Sequence, residues 1–184
     1  MTGLWVIVCG ASGAGKDSVM DWAAQRLSGQ ANLVFSRRLV TRSAQPGSDH
    51  EEVNAAEFEA LHDSGGLAWH WQAHGHQYGI PSRYASDVAR GCVVVVNGSR
   101  EHVIAIRPSS DVQVVQIVAN SQNLFARLEK RGRDTPEAIT LRMARNTQFA
   151  SLPANCTIVN HSTLAEAGQE LVNYLTTCTG TLAA

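Results

Sequence analysis

Gly10-Ala11-Ser12-Gly13-Ala14-Gly15-Lys16-Asp17 stands between an apolar run, Leu4-Trp5-Val6-Ile7-Val8-Cys9, and a stretch from Asp17 to Leu27 that reads as a helix. Nothing else in the chain narrows the possible folds as far. A strand that turns through glycines straight into a helix aims successive backbone N–H groups at one point. The helix adds about half a positive charge there. Lys16 is placed to reach outer phosphates, so the segment is a phosphate cradle, and a nucleoside triphosphate is its expected ligand. ATP is then expected to lie against Gly10, Ala11, Ser12, Gly13, Ala14, Gly15, Lys16, Asp17 and Ser18. One position departs from the pattern Gly-x4-Gly-Lys-[Ser/Thr]. Where a hydroxyl would ligate Mg²⁺, this chain has Asp17, and the nearest hydroxyl follows at Ser18. Either Ser18 approximates the missing ligand or Asp17 itself binds or orients the ion. Carboxylate oxygen suits a hard dication, which favours Asp17.

The remainder of the chain is consistent with a small-molecule enzyme. Its 184 residues are enough for one domain that buries roughly 70% of its unfolded surface. No apolar run approaches the roughly 20 residues of a membrane span, and the first apolar stretch lacks the basic flank of a signal peptide. Cys9, Cys92, Cys156 and Cys178 are far apart and form no Cys-x-x-Cys pattern, which suits a reducing cytoplasm. The net charge of -1 argues against bulk attraction to nucleic acid. Lys16 and Lys130 are the only lysines among 15 basic residues, and the rest are arginines. Arginine's planar fork grips phosphate at two points, so the bias fits a multiply phosphorylated ligand.

Strands and helices alternate along the sequence. Leu33-Val34-Phe35 reads as a short strand leading to Ser36-Arg37-Arg38-Leu39-Val40-Thr41-Arg42, with a turn at Pro46-Gly47-Ser48-Asp49. Only one of Arg37 and Arg38 can face a site if that segment is extended. Asn54 with Glu57 resembles a capping box opening a helix to about His62. Leu67 to Gln72 and His76 to Ile80 suit a hairpin around Gly75, followed by a helix from Pro81-Ser82 toward Arg90. Cys92-Val93-Val94-Val95-Val96 is an unbroken run typical of a strand buried on both faces of a parallel sheet. Further helices are expected to about Arg107, over Ser121 to Arg131, Pro136 to Phe149 and Leu164 to Leu175, with strands at Val112 to Val118 and Thr157 to Val159. Thr176 to Ala184 reads as a loose tail. The order predicts an α/β sandwich of three layers on a parallel sheet.

With the phosphate loop, Thr41-Arg42, Tyr78-Gly79 and the arginine-bearing helix pair in place, nearly the whole chain resembles the guanylate kinase family of nucleoside monophosphate kinases. The resemblance implies a P-loop NTPase fold with an acceptor-binding insertion over about 36–90 and a mobile arginine lid over about 131–141. It implies that Arg131 and Arg142 clamp the transferred phosphoryl; Arg133 and Arg145 are weaker candidates, since arginine on a helix or lid is more often a solvated surface residue. It also places Asn160 on an adenine-side loop. The guanine-reading residues do not carry over. Trp69 stands where those kinases have a glutamate, Gln45 replaces their second phosphate-binding arginine, and His50-Glu51-Glu52-Val53 takes the place of Asp-Tyr-x-Phe. A site lacking groups that pair with a base gains little from guanine, so GMP is not the expected acceptor.

Those departures, with Gly-Lys-Asp-Ser in the loop, Trp69-His70-Trp71 and Val96-Asn97-Gly98-Ser99-Arg100, resemble the ribose 1,5-bisphosphate phosphokinase family of phosphonate breakdown. This second resemblance implies ATP-dependent phosphorylation of ribose 1,5-bisphosphate to 5-phosphoribosyl 1-diphosphate and ADP. A guanylate kinase with altered base contacts and a non-catalytic interaction module are the alternatives, the latter disfavoured by the intact Lys16. The expected acceptor residues are Arg38, Arg42, Tyr78, Asn97, Ser99 and Arg100, the last three at the carboxyl end of the central strand. Guanylate kinases carry aspartates on that strand. Here it ends in Asn97, so Asp17 is expected to supply the missing negative charge beside magnesium. His70, His74 and His76 are expected to share one face as polar lining of the acceptor pocket, with Trp69 and Trp71 packing on the other.

Overall fold

The computed structural model describes residues 3–11, 13–44, 49–73, 75–106, 109–119, 125, 135, 137, 152–161 and 163–183. Apart from Phe125 and Glu137, the helices expected over 121–131 and 136–149 lie outside the described residues, and with them Arg131, Arg133, Arg142 and Arg145. So do Ser12, Gln45 and His74. In chain order the described elements are β1 (Leu4–Gly10), α1 (Lys16–Arg26), β2 (Leu33–Phe35), β3 (Arg38–Val40), β4 (His50–Glu52), α2 (Ala55–Asp63), β5 (Leu67–Ala73), β6 (His76–Pro81), α3 (Arg83–Ala89), β7 (Val93–Asn97), α4 (Arg100–Ala105), β8 (Val112–Val118), β9 (Cys156–Val159) and α5 (Leu164–Ala183).

A five-stranded sheet runs in the order β2-β7-β1-β8-β9, every neighbouring pair parallel. Alternate residues of each strand serve opposite faces. Val6, Val8, Val93, Val95, Val115 and Ile117 pack against Val19, Met20 and Ala23 of α1 and Leu171 and Leu175 of α5. Trp5, Val94 and Val96 meet Tyr84 and Val88 of α3, while Ile7, Cys9 and Val114 meet Val103 of α4. With both faces covered, four successive valines can be wholly buried, each worth about 1.5–3 kcal/mol. The expected three-layer arrangement is therefore the one found.

Between β2 and β7 the chain builds a second, four-stranded sheet in the order β4-β3-β6-β5, with β3 parallel to β4 and the other pairs antiparallel. Its helix α2 starts at the expected capping box: Glu57 N–H donates to Asn54 Oδ1 at 2.8 Å and Asn54 N–H to Glu57 Oε2 at 3.0 Å. Strand β4 was not expected from its sequence, His-Glu-Glu, which has no alternating apolar pattern.

One expectation is corrected at the carboxyl end. Rather than a loose tail after Leu175, α5 continues to Ala183. The hydroxyls of Thr176, Thr177 and Thr181 fold back onto carbonyls four residues earlier, and buried Thr179 continues the stripe of Ala167, Leu171 and Leu175. Among the described residues, no helix is long and apolar enough to cross a membrane.

Candidate active site

The register of the large sheet puts Val8 of β1 level with Asn97 of β7, so the glycine loop and the Asn97 side chain leave the sheet side by side at its carboxyl edge. Gly10 is obligatory there. A Cβ at that position would lie 2.4 Å from the Ile117 carbonyl oxygen. Gly13 and Gly15 have φ of 89° and 83°, a region that side chains disfavour. Gly15 begins α1 without any side-chain cap, which leaves the first-turn N–H groups available to a ligand. Asn160, expected on the adenine side, is buried and donates through Nδ2 to the Ala14 carbonyl at 2.7 Å, bracing the loop from below.

From the loop a polar chain crosses to the second sheet. Lys16 Nζ donates to Asp17 Oδ1 at 3.0 Å and also to Asn97 Oδ1. Asn97 Nδ2 donates to Asp17 Oδ1 at 2.9 Å and to Asp49 Oδ2. Arg38 Nη2 closes the chain, 2.8 Å from each Asp49 oxygen. Burial pulls the Lys16 ammonium below its ordinary value, and the charge of Asp17 opposes that pull. At Asp17 partial burial favours the neutral acid, but the charge and bond of Lys16 and the bond from Asn97 prevail and hold the carboxyl at about 2. Its side chain is 64% exposed, so an ionised carboxylate looks outward at the mouth of the phosphate loop. That donor fits a hard dication such as Mg²⁺, with the exposed hydroxyl-bearing Ser18 beside it. Asp17 and Asn97 touch, so the Asp17 carboxylate stands beside the end of β7.

Of the acceptor candidates, Arg38, Tyr78 and Asn97 converge. Arg38 sits over the Tyr78 ring at 5.9 Å, and Arg37 points elsewhere, toward the His50 carbonyl. Ser99 lies alongside but is engaged as the N-cap of α4, its Oγ accepting from His102 N–H at 3.0 Å, and Arg100 is buried at the first position of that helix. Arg42 is exposed, and among the described residues only its carbonyl participates, facing His50 Nε2 at 3.3 Å.

The histidine expectation needs correction. Hairpin pairing sets Ala73 opposite His76, Trp71 opposite Tyr78 and His70 opposite Gly79. This pairing puts His76 on the face of Trp71 and leaves His70 on the other, where it meets His62 of α2. The face toward the site is aromatic: Trp71 stacks on Tyr78 (5.4 Å, 9°) and on His102 (4.1 Å, 11°), and Trp69 packs on Trp5. Desolvation, with a smaller contribution from His70, lowers His102 to about 4, so the ring is neutral.

Sequence reasoning missed Asp49 and His102. Asp49 reads as an ordinary turn residue after Pro-Gly-Ser, and only the parallel pairing of Arg38 with His50 brings its carboxylate to the arginine. His102 gives no local sign, because its stacking partners come from β5.

No protein-family model matches the chain. It is 39% identical over 173 residues to the ribose 1,5-bisphosphate phosphokinase PhnN of Agrobacterium fabrum, covering 92% of this chain and 94% of that one. The protein of the same name from Rhizobium etli is 38% identical, with 94% and 89% covered. Among solved structures, guanylate kinase from Anaplasma phagocytophilum superposes with a TM-score of 0.69 at 20% identity, over 96% of this chain and 86% of that one, a likeness of fold alone. The parallel sheet, glycine loop and spliced second sheet are thus those of a guanylate kinase-like P-loop fold, and by sequence the chain belongs to the ribose 1,5-bisphosphate phosphokinase family.

Proposed function

We propose that the protein transfers the terminal phosphoryl of ATP to the anomeric phosphate of ribose 1,5-bisphosphate, giving 5-phosphoribosyl 1-diphosphate and ADP. The observation that carries this reading is the unbroken polar chain from Lys16 and Asp17 through Asn97 to Asp49 and Arg38, which joins a phosphate loop to a second cationic site. The names of the relatives supply the acceptor. Family membership also implies that the protein is a kinase, with ATP as co-substrate and a divalent metal ion beside it.

An oxygen of the anomeric phosphate attacks the γ-phosphorus, and the bond from that phosphorus to the bridging oxygen breaks, leaving ADP. The attacking oxygen is already anionic, so no strong base is required, and positioning with charge neutralisation does most of the work. In this scheme the loop N–H groups and Lys16 hold the ATP phosphates, and Arg38, Asn97 and Tyr78 hold the acceptor. Asp17 would hold Mg²⁺, which when bound neutralises charge on the phosphates. Arg131 and Arg142 are assigned to the moving phosphoryl, and Arg42, Ser99 and Arg100 are further assigned to the acceptor. Trp69, packed between Trp5 and His102, offers a base edge no carboxylate.

The test offers purified protein ATP and magnesium with ribose 1,5-bisphosphate beside GMP, products resolved by phosphorus NMR. The expected outcome is the diphosphate signal of 5-phosphoribosyl 1-diphosphate with GMP untouched. Formation of GDP, or unchanged ATP with both acceptors, overturns the reading.

A further inference from the structure

Asp49 is held more tightly than a turn residue requires, yet its surroundings are not satisfied by it. Arg38 uses a single nitrogen, Nη2, for both Asp49 oxygens, and Arg38 Nε is buried with no hydrogen-bond partner among the described residues. Arginine normally presents two nitrogens to two oxygens of an anion, so half of this fork is idle. His50 is the second sign. Its side chain is 1% exposed, Nε2 is committed to the Arg42 carbonyl, and Nδ1 stops 3.9 Å from Asp49 Oδ1, also without a hydrogen-bond partner among the described residues. Buried polar groups are rarely left unpaired. Asn97 Nδ2 completes the ring of groups, which come from β3, β4 and β7.

A planar carboxylate with two oxygens cannot reach all of these at once. A tetrahedral phosphate, larger and with three terminal oxygens, can span Arg38 Nε and Nη2, approach Asn97 Nδ2 and come within reach of His50 Nδ1. We propose that the Asp49 carboxylate is an internal stand-in for the acceptor's phosphate, occupying the anion subsite between Arg38, His50 and Asn97 and swinging out as that phosphate enters. The inference rests on the proposed function for the identity of the acceptor, but the subsite's chemistry is that of any phosphate monoester. In the free protein the stand-in neutralises Arg38 and keeps it from the other anion nearby, Asp17. Binding of acceptor is then weakened by the fraction of molecules in which the subsite is open.

Titration of the full chain with ribose 5-phosphate, the phosphate loop filled by a non-hydrolysable ATP analogue, tests this by calorimetry. Asp49→Asn keeps the shape and removes the charge, and is expected to bind the monoester about tenfold more tightly than the natural chain. Arg38→Ala placed on top of Asp49→Asn is expected to abolish that gain, which locates it in this subsite. Unchanged or weaker binding by Asp49→Asn would mean that the carboxylate permanently orients Arg38, and the proposal fails. It fails too if neither Asp49→Asn nor Asp49→Ala folds, since the carboxylate is then structural. Tighter binding without conversion of ribose 1,5-bisphosphate would sink the proposed reaction and leave the stand-in intact.

Discussion

In the five-stranded sheet Val6, Ile7, Val8 and Val93 to Val96 have no solvent exposure at all, whereas in the four-stranded sheet β5 leaves His70 and Gln72 in water and β4 is His-Glu-Glu. The first is held by apolar burial on both faces, the second by fewer buried apolar side chains, Leu39, Val40 and Ile80 among them, together with hydrogen bonds, ion pairs and ring stacking. Burial of apolar surface is not directional, and it fixes the frame that carries the glycine loop. Polar and stacking contacts exchange for contacts with a ligand at little net cost, which suits the side where a charged acceptor has to enter. The two meet at Asn97, which closes the most apolar strand with an amide bonded to both sides.

The largest expected effect lies where the two regions join. Lys16→Ala is expected to lower kcat/KM by about 10²–10³ in a coupled ADP assay, with the melting temperature nearly unchanged. Retained turnover would detach the loop from the reaction. Within the frame, Ile7→Ala should cost about 2–5 kcal/mol in urea unfolding because its site cannot collapse. Gln72→Ala on β5 should stay within about 0.5 kcal/mol, and equal losses at the two positions would erase the contrast between the sheets. A change of pH probes the seam. The folded His102 pKa of about 4 lies below the ordinary 6.5, so on acidification the unfolded chain takes up the proton first. Stability is therefore full above pH 6.5 and drains as pH falls toward about 4, by up to about 3 kcal/mol. His102→Gln should flatten that window when unfolding is followed across it.

Much of the frame was legible because its causes are local. Eight consecutive residues carry the phosphate loop, Val93 to Val96 announce a strand buried on both faces, and Asn54 with Glu57 mark a helix start. The α5 extension was not, since Thr-Thr-Cys-Thr-Gly looks unhelical until its hydroxyls are seen on the helix's own carbonyls. Alternation along β5 separated Trp69 and Trp71 from His70 correctly, but period two does not say which face looks at the site.

By itself, then, the sequence determined an α/β frame, a phosphate cradle and an unusual carboxylate at position 17, because each depends on neighbours along the chain. Only the tertiary structure decided that Asp49, 48 residues from Asn97 and 11 from Arg38, belongs to the site, and that Trp71 with His102 rather than His70 faces it. Those contacts follow from the pairing of β3 with β4 and from how the small sheet docks on the large one, and no local pattern of residues encodes either.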